Sequence, residues 1–406
     1  MKQYIFLTNS IRNVGGAQLY TSNKIKWLES IGWEVNVFYS SLSGDIVLDN
    51  LKRFEKNYLP VLSLPFAIVD EKIRRRNANK VISVSASKII IECHITEYCF
   101  WGEYFGNLCG GMTICYPLSE DFPKLSQEER DFFFHKLKQN LLFGITDNSI
   151  PLMLGKSNLT EKRGLFAVGD SCNLSDEDYA IPLKEHAMTI LSIGRLEKPY
   201  IPNMVSSIKK FVDRHKDSYF NIILLGDSKD KSIRKSIVTS LSECCNSKVF
   251  CTGYLNPIPK SIFQKCDVAI ASSGCVRVTA QQGVYTISVD TNDHKAIGVY
   301  GITTDKTLFR KEEKPQEIDV LLEEILIFKR YSKNDIKIVE EDSDYSKHEE
   351  IINRYIPNVA YEMSFPLTIK DKIKRLLISV LGCEIYLKYF TCIPLFIKLK
   401  NLLKYV

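Results

Sequence analysis

Short apolar runs of strand type alternate with longer stretches of helical period along most of the chain. Lys2–Thr8 is the first such run, and it leads into the loop Asn9–Gly16. Ala17–Ile31 then places Leu19, Ile25, Leu28 and Ile31 at helical spacing, and Gly32 stops it. Glu34–Tyr39 is a second strand, so the chain opens with a βαβ unit. Residues 45–90 continue in α/β fashion with little clarity. Lys88–Glu92 and Thr113–Tyr116 read as further strands. Gln127–Leu141 reads as a helix, with Ser126 as N-cap and Glu129 three residues on. Ile145–Asp147 and Leu165–Val168 read as the last strands of this half. Gly169–Lys184 is polar and acidic and contains a proline, which suits a linker.

The pattern then restarts. Strands are expected at Thr189–Ile193, Phe220–Leu225, Lys248–Thr252, Val268–Ala271 and Tyr285–Val289. Helices are expected at Pro202–Arg214, Lys229–Cys244, Pro259–Lys265, Cys275–Gln282 and Leu321–Arg330. The expected architecture is α/β, with two Rossmann-like domains facing a cleft. Residues 1–170 form the first domain, 171–185 a linker and 186–330 the second domain. Residues 331–369 are a charged loop and return segment, and 370–406 a basic amphipathic helical tail.

Composition narrows the class. No run of about 18 apolar residues is present, so no transmembrane helix is expected. Met1–Leu7 is too short and too strand-like for a signal peptide. The twelve cysteines form no framework and no CxxC, which points to reduced cytosolic thiols. Cys93, His94, Cys99, Cys109 and Cys115 match no standard zinc spacing, and no metal is expected. The net charge is +6. Residues 370–406 hold eight Lys or Arg against Asp371 and Glu384, which accounts for the whole excess. The body is therefore near neutral, against a general nucleic-acid binder. In the tail Ile373, Leu376, Leu377, Val380 and Leu381 recur at helical spacing with Lys372, Lys374 and Arg375 between them. That composition suits an anionic membrane surface, and a helix packed on the domains with a lysine-rich outer face is the plainer alternative.

Candidate chemistry lies at the ends of the expected strands. Gly15-Gly16 enters the first helix but lacks GxGxxG spacing, so a dinucleotide-binding dehydrogenase is disfavoured. The pair is either a tight turn or a place where a ligand approaches the backbone closely. His94 follows a strand, at the edge where α/β proteins keep functional residues; a structural histidine is the alternative. Ser272-Ser273-Gly274 separates a strand from a helix, a geometry that offers free N–H groups and a positive helix end to phosphates.

Four ordered segments resemble the GT-B glycosyltransferases, in particular the family-4-like group of bacterial surface-polysaccharide synthesis. They are NVGGAQLYTSNKIKWLESIGWEVNVFYSS, ILSIGRLEKP, NIILLGDSKDKSIRKSI and VFCTGYLNPIPKSIFQKCDVAIASSG. The resemblance implies a nucleoside-diphosphate sugar as donor substrate, held mainly by the second domain, with no separate cofactor. A glycan or lipid-linked acceptor would lie on the first domain, at the cytoplasmic membrane face. Gly15 and Gly16 would lie near the donor phosphates or sugar, and His94 near the sugar. Arg195 would neutralise the diphosphate. The group often follows this arginine with a lysine several residues on; here Lys198 stands earlier. The group also carries two glutamates seven residues apart in its donor site, whereas no glutamate occurs between Glu243 and Glu312. The matching positions offer Ser273, Gly274, Cys275, Arg277, Thr279 and Gln281, and Asp290, Asn292 and Asp293 follow the next strand. A two-domain nucleotide-sugar epimerase and a non-catalytic GT-B-like partner subunit are the alternatives.

Overall fold

The computed structural model describes residues 1–391 except 84, 120–121, 148, 156–158, 160–162, 166–173, 229, 338–344 and 360. The chain divides into two compact units, Met1–Val168 with Asp344–Val406, and Gly169–Ser343.

The first unit contains β1 (Lys2–Thr8), α1 (Gly16–Ser30), β2 (Glu34–Tyr39), α2 (Asp49–Lys52), α3 (Glu71–Val81), β3 (Lys88–Cys93), α4 (Thr96–Cys109), β4 (Met112–Cys115), α5 (Gln127–Lys138) and α6 (Ser149–Leu154). Its strands pair in parallel in the order β2-β1-β3-β4. Successive residues of β1 fill opposite faces: Ile5 and Leu7 join one core, Tyr4 and Phe6 the other. A sheet buried on both faces needs near-continuous apolar strands, which is why the runs were legible. Ser126 and Glu129 form the expected capping box, and α5 ends at Lys138, short of Leu141. The strand expected at Ile145–Asp147 is instead a turn. Pairing falls earlier, through single bridges at Leu142 and Gly144. Asp147 turns its carboxylate to the Gly164 N–H at 2.8 Å, and Ser149 Oγ accepts from Thr146 N at 3.1 Å, so these residues build a loop. The strand expected at Leu165–Val168 falls partly outside the described residues; Leu165 N bonds to Gly144 O.

The second unit contains β5 (Leu174–Ser175), β6 (Met188–Ile193), α7 (Ile201–Arg214), β7 (Phe220–Leu225), α8 (Lys231–Ser242), β8 (Ser247–Gly253), β9 (Ile258–Pro259), α9 (Lys260–Gln264), β10 (Val268–Ala271), α10 (Gly274–Gln281), β11 (Tyr285–Val289), β12 (Ala296–Val299) and α11 (Ile318–Leu322). Its six-stranded sheet has the order β12-β11-β10-β6-β7-β8, all parallel except β12. The helix expected at Leu321–Arg330 starts earlier and widens after Leu322 into a π-turn, Glu323–Ile327. Part of the expected linker belongs to this unit. Leu174-Ser175 pairs with Ile258-Pro259, and Lys260 bonds Asp176 at 2.8 Å.

The chain then returns to the first unit through α12 (Ser346–Arg354), α13 (Ile369–Leu381) and α14 (Cys383–Tyr386). Asn358 straps this return down. Its N–H bonds Gly111 O at 2.8 Å, and its Oδ1 accepts from Thr113 N at 2.9 Å. Helix α13 is the tail helix expected from the sequence, opened by a capping box between Thr368 and Asp371. Residues 392–406 of the tail lie outside the described residues.

Candidate donor site

In the second unit β6 is central. The chain moves outward from it through β7 and β8 on one side and through β10 and β11 on the other. The crevice beyond the carboxyl ends of β6 and β10 is therefore a topological switch point, where open α/β sheets bind ligands. Two short connections leave neighbouring strands at that edge.

The first follows β6. Gly194 N bonds Leu225 O at 3.0 Å and Leu196 N bonds Asp227 O at 3.0 Å, so this connection is tied to the end of β7. Gly226 has φ +147°, and a Cβ there would lie 2.0 Å from Gly194 O. Glycine is needed for both reasons. Arg195 is exposed at this edge, while Leu196 is buried and anchors it. Lys198 is half-buried, its Nζ 5.9 Å from the centre of the Tyr200 ring.

The second connection follows β10. Ser273 has φ 65° and ψ −145°, and α10 begins at Gly274 with no side-chain cap and no acidic residue in its first turn. No side chain therefore covers this helix end, and Val276 N turns back to Ser273 O at 3.0 Å. Ser272 is fully buried, and its Oγ has no hydrogen-bond partner. Cys275 and Arg277 are half-buried on this helix.

Other expected residues fall elsewhere. Thr279 is fully buried, and its Oγ1 donates to Cys275 O at 2.8 Å, so it faces the interior rather than the site. Gln281 is exposed at the far end of the helix. Asp290 is buried and accepts from Asn292 N at 2.8 Å and Arg310 N at 2.9 Å, while Asp293 pairs with Arg310. These carboxylates close a turn in the manner of Asx residues.

The sequence did not single out two neighbours of the site. Ser273 N donates to Thr307 O at 2.6 Å, and Ser288 Oγ donates to Lys306 O at 2.7 Å. An irregular segment thus lines the ends of β10 and β11, and it has no periodicity to betray it. Glu197, between Arg195 and Lys198, is half-buried with an enclosed Oε2 that has no partner. Tyr254, at the end of β8, lies near it. Burial, then Glu197 and Asp227, raise the Tyr254 hydroxyl above its ordinary pKa, and Arg195 opposes them. A glutamate is therefore present at this switch point, on the connection after β6 instead of the one after β10.

In the first unit Gly15 is the N-cap of α1, in extended conformation and without a side-chain cap. A Cβ on Gly15 would come 2.9 Å from Gln18 Oε1, whereas one on Gly16 would meet nothing within 4 Å. Gly16 is thus open, and nothing in the described fold demands glycine there. His94 follows β3, and its N–H bonds Leu7 O at 2.9 Å. It is only 1% exposed, and its Nε2 lies 2.9 Å from Glu92 Oε1. Its Nδ1 is enclosed without a partner. Burial lowers the His94 pKa and outweighs the raising effect of Glu92. The ring is thus enclosed, and burial favours its neutral form. No group of three or more His, Cys, Asp or Glu side chains among the described residues is arranged to hold a metal ion.

No family model and no curated protein sequence matches this chain. Solved structures do. A glycosyltransferase from Rickettsia africae is similar at a TM-score of 0.59 and 13% identity, covering 87% of this chain and 98% of that one. Anabaena Alr3699/HepE in complex with UDP-glucose is similar at 0.55 and 10% identity, covering 87% and 99%. A UDP-N-acetylglucosamine 2-epimerase is similar at 0.50 and 13% identity, covering 86% and 95%. At these identities the likeness is one of fold. The fold is that of the GT-B glycosyltransferases, α/β with parallel sheets.

Proposed function

We propose that this chain is a glycosyltransferase that moves a sugar from a nucleoside-diphosphate sugar to a glycan acceptor. The observation that carries this reading is the switch point after β6 and β10. There an uncapped helix end, with Ser273 and Gly274 leading it, opens beside the connection bearing Arg195. A departing nucleoside diphosphate is an anion, and fixed charge with preorganised N–H groups stabilises it. Arg195 supplies the charge and forks onto phosphate oxygens; Lys198 and Arg277 add to the field. The enclosed oxygen of Glu197 accepts a donor hydroxyl, in place of the acidic pair absent from α10. Gly15 and Gly16 let a ligand approach the start of α1. His94, held by Glu92, shapes the edge of the first unit. UDP-glucose in the Anabaena neighbour favours uridine as the base. The acceptor in this reading is lipid-linked, in cell-surface polysaccharide assembly at the cytoplasmic membrane face.

A second reading, nucleotide-sugar epimerisation, is favoured by the epimerase of like fold. Titration calorimetry with UDP, UDP-glucose and UDP-N-acetylglucosamine tests nucleotide binding, and proton NMR of the bound donor separates the two chemistries. Donor turned over only with a glycan acceptor present supports transfer; a C2 epimer formed without acceptor supports the second reading. Absence of binding to any nucleoside diphosphate would sink both and leave a non-catalytic subunit.

A further inference from the structure

Among the described residues of the first unit, the most exposed apolar surface belongs to α13. Ile369, Ile373, Leu376 and Val380 are 78%, 48%, 64% and 73% exposed. They stand four, three and four residues apart, so they form one stripe along the helix. Soluble helices turn such a stripe inward. This helix already has an inward side: Ile378 is fully buried, Arg375 donates to Ala67 O, and Ser379 donates to Asp70. On a helix of 3.6 residues per turn, Ile378 lies opposite the centre of the stripe. The fold thus consumes one face of α13 and holds the other face outward.

The exposed charges flanking the stripe on α13 are basic. Lys370 and Lys372 are exposed beside it, while Asp371 is spent on the Thr368 cap and on Lys374. Beyond Gly382 the pattern continues with Ile385 and Tyr389, 49% and 51% exposed, flanked by the exposed Glu384 and Lys388. No helix of the described residues is long and apolar enough to cross a membrane.

We propose that the outward stripe of α13 inserts into the interface of an anionic lipid leaflet. Aliphatic side chains enter between the headgroups, and Lys370 and Lys372 lay their stems along the stripe and meet lipid phosphates. Basic residues attract anionic lipid, so the occupant is matched in charge as well as in polarity. An acidic protein groove would match the charge too. The stripe is a single exposed helix side with no groove-filling side chain between its residues, which suits a deformable lipid surface better. The inference goes beyond sugar transfer and does not depend on it.

Sedimentation of the full chain with vesicles of phosphatidylglycerol and phosphatidylethanolamine, against pure phosphatidylcholine, tests it. The expected result is binding to the anionic vesicles that weakens with salt. Leu376→Glu with Val380→Glu should reduce that binding at least tenfold while leaving the thermal midpoint unchanged, since both positions are exposed. Lys370→Gln with Lys372→Gln should weaken anionic binding by about fivefold per lysine at low salt. Wild type that ignores both vesicles, or stripe variants that bind as wild type does, would overturn the proposal. So would a dimer by light scattering that the stripe variant converts to monomer, because a second copy would then be the occupant.

Discussion

Lys24 Nζ and Glu92 Oε2 lie 2.5 Å apart inside the first unit, with side chains 2% and 0% exposed. Glu92 also accepts from Tyr4 and Tyr20, and Lys24 reaches His348 Nδ1 at 3.0 Å. The pair therefore ties α1 and β3 to the returning helix α12. Burial alone would push the Glu92 carboxyl up, but Lys24, His94 and His348 overcome it and hold the group well below the usual carboxylate range. Burial lowers Lys24 against the pull of Glu92.

Removing one partner of such a pair leaves a buried charge uncompensated. Glu92→Gln is expected to cost about 3–5 kcal/mol, read from urea unfolding. Glu92→Gln combined with Lys24→Met should cost less than the two single losses added. Strict additivity in that cycle would mean that the two groups do not support each other.

The same cluster sets a dependence on pH. His94 has a folded pKa below its unfolded value of about 6.5. The unfolded chain therefore binds its proton first, and stability present above about pH 6.5 is lost as pH falls. Glu92, also depressed, contributes stability above about pH 4.3 that is lost in more acid solution. Thermal midpoints should fall in two stages on acidification, and His94→Gln should flatten the first. An identical profile for that variant would remove His94 from the account.

Much of the fold was legible. The strands Lys2–Thr8, Glu34–Tyr39, Phe220–Leu225, Val268–Ala271 and Tyr285–Val289 stand as expected, because strands covered on both faces must be apolar throughout. The Lys24 cluster was not legible. Its partners are 68 and 324 residues away in sequence, and nothing local distinguishes a buried lysine from a solvated one. In the candidate site the turn at Ser272–Gly274 follows from strand and helix signals, whereas the burial of Thr279 does not, because a helix can bury a threonine whose hydroxyl bonds its own backbone. Glu197 carries no local signal, because nothing in the sequence tells an enclosed carboxylate on the connection after β6 from a solvated one.

The glycine pair at the ends of β6 and β7 gives a third prediction. Gly226→Ala meets both an unfavourable φ and the Gly194 carbonyl, a backbone atom that cannot swing away. A loss on the order of 3 kcal/mol is expected. Gly32→Ala shares a positive φ of 81° but meets nothing within 4 Å, so about 1 kcal/mol is expected there. Chemical denaturation of both variants checks the order, and equal losses would show that φ alone matters.

Arg195 should act on the diphosphate and on nothing else. It is exposed, so its removal leaves no buried group stranded and no cavity, and the fold should be indifferent to Arg195→Ala. A charge-assisted hydrogen bond to phosphate contributes about 1.5–3 kcal/mol, and affinity for UDP should fall by that amount in titration calorimetry. Arg195→Lys keeps the charge but loses the planar fork, and should fall between the two. Uridine without phosphates should bind wild type and Arg195→Ala alike. If uridine weakens as much as UDP, the residue serves the base side of the site. Unchanged UDP affinity would leave the helix end at Ser273–Gly274 as the principal anion-binding element.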